Sequence, residues 1–448
     1  MTLLVISPDY ASHLLPLATL ATAWRDAGER VVVATGPATD GIVRSFGFER
    51  VDLQLGKGSN PGVIRAEQQP AGEDDALRGF FAATRRGMIE TLAFQAEARL
   101  SDLMWQPVPT ARAVQRVVAE VAPDEIIVDH LAFSARLALT AASIRHADVV
   151  LGHPTALPVA GEVYGYPATW PAAFAPDAAD LTALRQLCER VSDSFTAEWN
   201  AALAALAALA PALPPSVSAF EEHGDLLLYN YPAELSEPAR TALLPPHAFL
   251  GSAVRDEPLD PEVEEWLASS DEPFVYVSFG SFLSVRSDVL ARVAAALAGV
   301  GVRAALALGS ADRSELGELP ASWLVREFLP QVRLLQAAAA RGGAAVTHGG
   351  NNSVTEAMTA GVPLVVLPFS TDQFAGAAAL ERAGFAEVLD PNAASVGELA
   401  GALARVLGPV WAGGEPAARL SALSASLRAS GGAERARAAV REWVAAAR

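Results

Sequence analysis

Two groups of residues carry the chemistry this chain offers. The larger lies between Ala344 and Phe374. A β-branched run, Ala345-Val346-Thr347, ends in His348-Gly349-Gly350, and Asn351, Asn352 and Ser353 follow at the start of a helical stretch. Two glycines let the backbone turn sharply and approach a ligand closely. A helix N-terminus presents free N–H groups and a partial positive charge, a combination that favours phosphate or diphosphate. His348 can donate to the same anion. Glu356 lies one turn beyond Asn352 on the same helix face and can accept from a pair of ribose hydroxyls. Asp372 and Gln373 follow the next apolar run, at the edge where α/β sheets hold ligands. The order of these residues within one strand–helix–strand unit points to a nucleotide-sugar site. The smaller group is His13, in the loop after the first apolar run, and Asp129, at the end of EIIVD. An Asp can orient an imidazole and leave its other nitrogen free as a base. His130 is a rival partner for His13 that spacing does not exclude.

These residues need elements to hold them. TLLVIS, RVVVAT, EIIVDH and DVVLGH in the first half have strand length, with helical stretches such as PLATLATAWRDAG between them. FVYVSF, VRAALAL, WLVREF, AAVTH and PLVVLPF repeat the pattern later. Strands alternating with helices imply parallel βαβ units. The expected helix after the first strand is LLPLATLA, with Pro16 in its first turn, where a missing N–H costs little. Between the two series the composition turns acidic and Pro-containing around residues 255–273, a solvated linker with a short helix, PEVEEWLAS. The division is therefore 1–252 for an acceptor-side domain carrying His13, 253–272 for the linker, and 273–430 for the domain holding the nucleotide. A C-terminal amphipathic helix over 431–448 follows. The polar segment Gly56–Gly79 reads as a mobile loop. Tyr164, Tyr166 and Trp170 are candidates to line a pocket.

With 448 residues the chain suggests two domains. Its formal net charge of −18 argues against nucleic acid and anionic membranes as partners. Cys188 is the single cysteine, so no intrachain disulfide forms and a cytoplasmic location fits. The N-terminus reads as a first strand and not as a signal peptide. Ala201–Pro215, the most lipid-like segment, is shorter than the roughly 20 residues that span a bilayer, and it reads as a soluble helix.

The chain resembles the UDP-glucosyl/UDP-glucuronosyltransferase family, in its bacterial natural-product form. SHLLPLATLA, IIVDHLAFSARLAL, YVSFGS, REFLPQVRLL and THGGNNSVTEA carry the likeness. The resemblance implies a GT-B fold: α/β, with two Rossmann-like, doubly wound parallel-sheet domains facing a cleft. It implies His13 as the catalytic base and Asp129 as its orienting acid. Donor binding falls to Ser281, His348, Gly350, Asn351, Asn352 and Ser353 at the diphosphate, and to Glu356 at the ribose. Phe328, Leu329 and Gln331 take the base, and Asp372 and Gln373 the sugar hydroxyls. The plant form of the signature has Trp at the positions of Phe328 and Asn351. The implied reaction moves a hexose, with inversion, from a UDP- or TDP-type sugar to a hydroxyl of a small, largely apolar acceptor. No metal or other cofactor is expected, because the helix N-terminus and His348 meet the leaving-group charge. A monomer or homodimer is expected. Two rival readings are a nucleotide-sugar 2-epimerase of similar fold and a non-catalytic auxiliary partner of another transferase.

Overall fold

In a computed structural model, which describes residues 1–62, 73–100, 103–207 and 213–446, the chain forms two parallel sheets. The first contains β1 (Thr2–Ile6), β2 (Arg30–Thr35), β3 (Glu49–Asp52), β4 (Glu125–Asp129), β5 (Ala147–Val150), β6 (Leu226–Tyr229) and β7 (His247–Phe249). Their order across the sheet is β3-β2-β1-β4-β5-β6-β7. The second contains β8 (Phe274–Ser278), β9 (Arg303–Ala307), β10 (Leu324–Arg326), β11 (Ala344–Thr347), β12 (Leu364–Val366) and β13 (Ala386–Val388), in the order β10-β9-β8-β11-β12-β13. Every pairing is parallel. Sheets of this kind are covered by helices on both faces, so their central strands must be apolar throughout. EIIVD in β4 and FVYVS in β8 are buried at all five positions.

In each sheet the winding reverses beside its first strand. The chain moves outward from β1 through β2 and β3, then returns to place β4 on the other side; β8 and β11 repeat the manoeuvre. A doubly wound sheet opens a crevice at such a reversal, beyond the C-terminal ends of its strands. His13 follows β1 and Asp129 closes β4. Gly280 and Ser281 follow β8, and His348 follows β11. The His13–Asp129 pair and the turn carrying His348 therefore sit at the two reversal points, while Phe328 and Asp372 follow β10 and β12, which lie further out in the second sheet.

The helix Gly432–Ala446 lies against the first sheet's helix Ala11–Asp26. Ala436 and Val440 join a core with Leu3, Val5 and Trp24. Arg437 and Arg441 both reach Glu29, at 2.9 and 2.7 Å. Between the sheets, Asp260 caps the helix Pro261–Ala268 by accepting from the Glu262 and Val263 N–H groups.

Several elements differ from the sequence expectation. β3, β6, β7 and β13 were not anticipated, and the strand expected at DVVLGH starts one residue earlier and is shorter, at Ala147–Val150. The loop expected over Gly56–Gly79 is helical from Glu73, while its residues 63–72 lie outside the described residues. The apolar stretch at 201–215 continues a helix that ends at Leu206, and its residues 208–212 are not described. Among the described residues no helix is long and apolar enough to cross a membrane. The helix after β1 starts at Ala11, so Pro16 lies in its interior and not in its first turn.

Candidate active site

That proline has a consequence at the cleft. An interior Pro cannot donate to the carbonyl four residues earlier. The carbonyl left free is that of Ser12, which accepts from the Asn352 side-chain nitrogen of the second domain at 3.0 Å. The residue next to His13 is thus joined directly to the start of the helix Asn351–Ala360.

His13 Nδ1 lies 2.6 Å from Asp129 Oδ2, and Asp129 Oδ1 accepts from the Leu131 N–H. Asp129 is buried, while His13 is about a quarter exposed. Burial alone would lower the His13 pKa, but the charge and hydrogen bond of Asp129, helped by Asp372, hold it above the ordinary imidazole value. His130 is not the partner of His13. Its ring bonds Asp148 at 3.0 Å, and Arg136 pairs with the same carboxylate. Burial and the Arg136 charge push the His130 pKa down.

On the other side of the cleft, the helix Asn351–Ala360 starts at Gly350 with no side-chain cap. Its first N–H groups remain available to an anion. The turn before it needs its glycines. Gly349 has φ of +84°, and a Cβ on Gly350 would stand 2.4 Å from His348 Nε2. Burial pushes the His348 pKa down to about 4, although a hydrogen bond to the Ser278 backbone raises it. Its Nδ1 is buried with no partner among the described residues. The lowered pKa favours the neutral imidazole.

His348, Gly350, Asn351, Asn352, Ser353, Phe328, Leu329 and Gln331 line one cavity of about 580 Å³, and His13 borders it from the opposite domain. Phe328 is 55% exposed there. The backbone of Ser281 lies in the helix Gly280–Leu283 beside this cavity, but its side chain is not described. Glu356 is not on the cavity wall. Its Oε1 accepts from Arg255 Nη1 at 2.7 Å and its Oε2 from Gln331 Nε2 at 2.6 Å. Burial raises the Glu356 pKa against the lowering effect of Arg255 and Gln331.

A second cavity, of about 300 Å³, lies beyond His13 and is lined by Asn351 and Asp372 together with first-domain residues. Asp372 Oδ2 accepts from the His153 N–H at 2.6 Å. Gln373 does not line it. Its Oε1 accepts from the Phe369 and Ser370 N–H groups, so the amide closes its own loop. Tyr164 and Tyr166 do line it. Trp170 instead packs against the first domain's core. A third cavity, of about 400 Å³, holds Tyr10, Leu103, Leu131 and Phe133, again with His13 at its edge. His13 stands where all three meet.

Sequence reasoning missed Arg255, Tyr276 and Ser278, which line the first cavity. Arg255 had one signal, as the basic residue in an acidic linker. Tyr276 and Ser278 read only as strand.

A family model described as UDP-glucoronosyl and UDP-glucosyl transferase matches residues 186–423. A PGL/p-HBAD biosynthesis glycosyltransferase of Mycobacterium tuberculosis is 33% identical over 185 residues, 41% of each chain. YojK of Bacillus subtilis, named as an uncharacterized UDP-glucosyltransferase, is 26% identical over 41% of this chain and 46% of its own. The matched segments thus span less than half the length of these curated relatives. Solved structures match nearly end to end. The glycosyltransferase of kitacinnamycin aligns with a TM-score of 0.66 and 21% identity, over 98% of this chain and 97% of its own. The spinosyn rhamnosyltransferase SpnG, solved with thymidine diphosphate, aligns at 0.62 and 18%, over 98% and 99%. At these identities the likeness establishes the GT-B fold.

Proposed function

The chain belongs to the UDP-glucoronosyl and UDP-glucosyl transferase family, and from that premise we propose that it transfers a hexose from a nucleoside diphosphate sugar to a hydroxyl of a small acceptor, with inversion. The observation that carries this reading is the place of His13. It is held by Asp129 at 2.6 Å and borders both the cavity with the open helix N-terminus and the cavities of the first domain.

The nucleoside diphosphate lies in the first cavity, its base on exposed Phe328. The diphosphate takes the N–H groups at the start of the helix Asn351–Ala360, with His348, Asn352 and Ser353 around it. The hexose extends past Asn351 towards Asp372. With Nδ1 committed to Asp129, His13 Nε2 accepts the proton of the acceptor hydroxyl. The acceptor oxygen bonds to the anomeric carbon as that carbon's bond to the diphosphate oxygen breaks. One displacement inverts the centre. Asp129 stabilises the imidazolium without taking the proton, and the helix N-terminus meets the charge on the leaving diphosphate. These groups suffice without a metal. The ribose reaches Glu356 only beside Arg255 and Gln331, which belong to the nucleotide site on this reading.

The test is a panel of UDP- and TDP-hexoses with a phenolic acceptor, read by chromatography and by the anomeric coupling of the product. An α-linked donor should yield a β-linked glycoside. A retained configuration would remove the single-displacement mechanism. Interconversion of sugars without an acceptor would favour an epimerase instead.

A further inference from the structure

The cavity beyond His13 contains a cation the transfer chemistry does not use. Arg99 ends the helix Met88–Arg99 and is half-buried. Its guanidinium lies over the Tyr164 ring, 5.1 Å from the centroid. Among the described residues it makes no ion pair and no hydrogen bond. Arg86, Arg112 and Arg116 also make none among the described residues, but they are exposed, whereas Arg99 is half-buried at a cavity. Arg99 lines the cavity of about 300 Å³ together with His13, Tyr164, Tyr166 and Asp372. The backbone is fitted around it. Gly165, at φ of +83°, passes so close that a Cβ would stand 2.8 Å from Arg99 Nη1. The same helix spans the cleft, since Gln95 Oε1 accepts from the Thr371 N–H of the second domain.

We infer that Arg99 recognises a carboxylate on the substrate, and that the acceptor is a phenolic or other aryl acid. The inference rests on the transferase reading above. A guanidinium presents several donors in a planar fork that matches a carboxylate. Its ring stacking on Tyr164 fixes that fork at little entropic cost. Asp372, the other charged side chain on the wall, accepts from the His153 N–H and the Thr371 hydroxyl and makes no ion pair with Arg99. Tyr166 lines the same wall, while Tyr164 is stacked on Phe220 at 3.8 Å and covered by Arg99, so an aryl body beside Tyr166 would leave a hydroxyl at His13 and the acid at Arg99. A carboxylate on the hexose itself would satisfy the same fork, and the experiment separates the two sources.

The full chain is assayed with 3-(4-hydroxyphenyl)propanoate and its methyl ester, using a nucleotide hexose it accepts. A second arm compares a nucleotide hexuronate with the matching hexose on a neutral phenol. Wild type should favour the acid by about 10–100-fold in kcat/KM, the range of a charge-assisted hydrogen bond. Arg99→Gln should abolish the preference and Arg99→Lys should keep part of it. An Arg99-dependent preference confined to the donor arm also supports carboxylate recognition and moves the acid onto the sugar. A variant that slows acid and ester alike makes Arg99 a strut and overturns the inference. So does a wild type with no acid preference in either arm, or one that neither transfers to nor binds the acid. Transfer to the ester with no acid preference in either arm would overturn this inference and leave the transferase reading standing. Absence of transfer and of nucleoside diphosphate binding would sink both.

Discussion

His13 works as a base only while unprotonated, and its pKa is raised by Asp129. Activity should therefore be lost as pH falls through a value above the ordinary imidazole pKa of about 6.5. In Asp129→Asn the carboxylate charge is gone and burial dominates, so the acid limb of kcat/KM should move to lower pH. The plateau should still fall, because the ring is no longer oriented for the imidazolium. An unchanged limb in the pH profile of that variant would remove Asp129 as the partner. His348 moves the opposite way. It is neutral in the free protein, with a pKa near 4, and a nearby diphosphate favours its protonated form. Binding of a nucleoside diphosphate at pH of about 5 should therefore take up protons. Calorimetry in two buffers of different ionisation enthalpy measures this uptake. His348→Gln should lower the net uptake, and an uptake equal in wild type and variant would place the anion elsewhere.

At the scale of elements, Pro16 is the informative residue. Pro16→Ala supplies an N–H to the Ser12 carbonyl, which now accepts from Asn352. The helix should become more stable, because interior Pro is unfavourable by about 3 kcal/mol. Nucleoside diphosphate binding should weaken by roughly 0.5–1.5 kcal/mol as that contact is shared. A higher Tm with unchanged affinity would show that Asn352 does not need this anchor. A sequence reading that began the helix at Leu14 could not see the device, since it rests on where the first turn starts. The parallel architecture was legible because fully buried strands such as EIIVD and FVYVS have no other reading. HAF in β7 and AEV in β13 are three residues each, too short to show a period. The helix N-terminus, His348 and Phe328 could be found from local order. The choice between Asp129 and His130 as the partner of His13 could not, because Asp148 and Arg136, which claim His130, come from separate elements. The Gln373 amide oxygen answers two N–H groups of its own loop, a local engagement that the residue order did not announce. Glu356 was expected to accept from the ribose hydroxyls, and only the fold brings Arg255 from the linker onto it. Arg255→Ala should leave a buried carboxylate with Gln331 alone and destabilise the protein by about 1–3 kcal/mol in denaturant unfolding. No change would mean that the pair is solvated in solution.

At the scale of the molecule, two domains of similar winding face each other with their reversal points opposed. Each supplies what the other lacks: a paired imidazole from the first sheet, and an uncapped helix with a neutral histidine from the second. The central claim is that His13 is the base for transfer between them. The most direct measurement is kcat/KM of His13→Ala relative to wild type, on one alcohol acceptor and one nucleotide hexose. A loss of about 10²–10⁴-fold is expected for removal of a general base, with the nucleoside diphosphate Kd nearly unchanged because the diphosphate groups lie in the other domain. Transfer at close to the wild-type rate would contradict it.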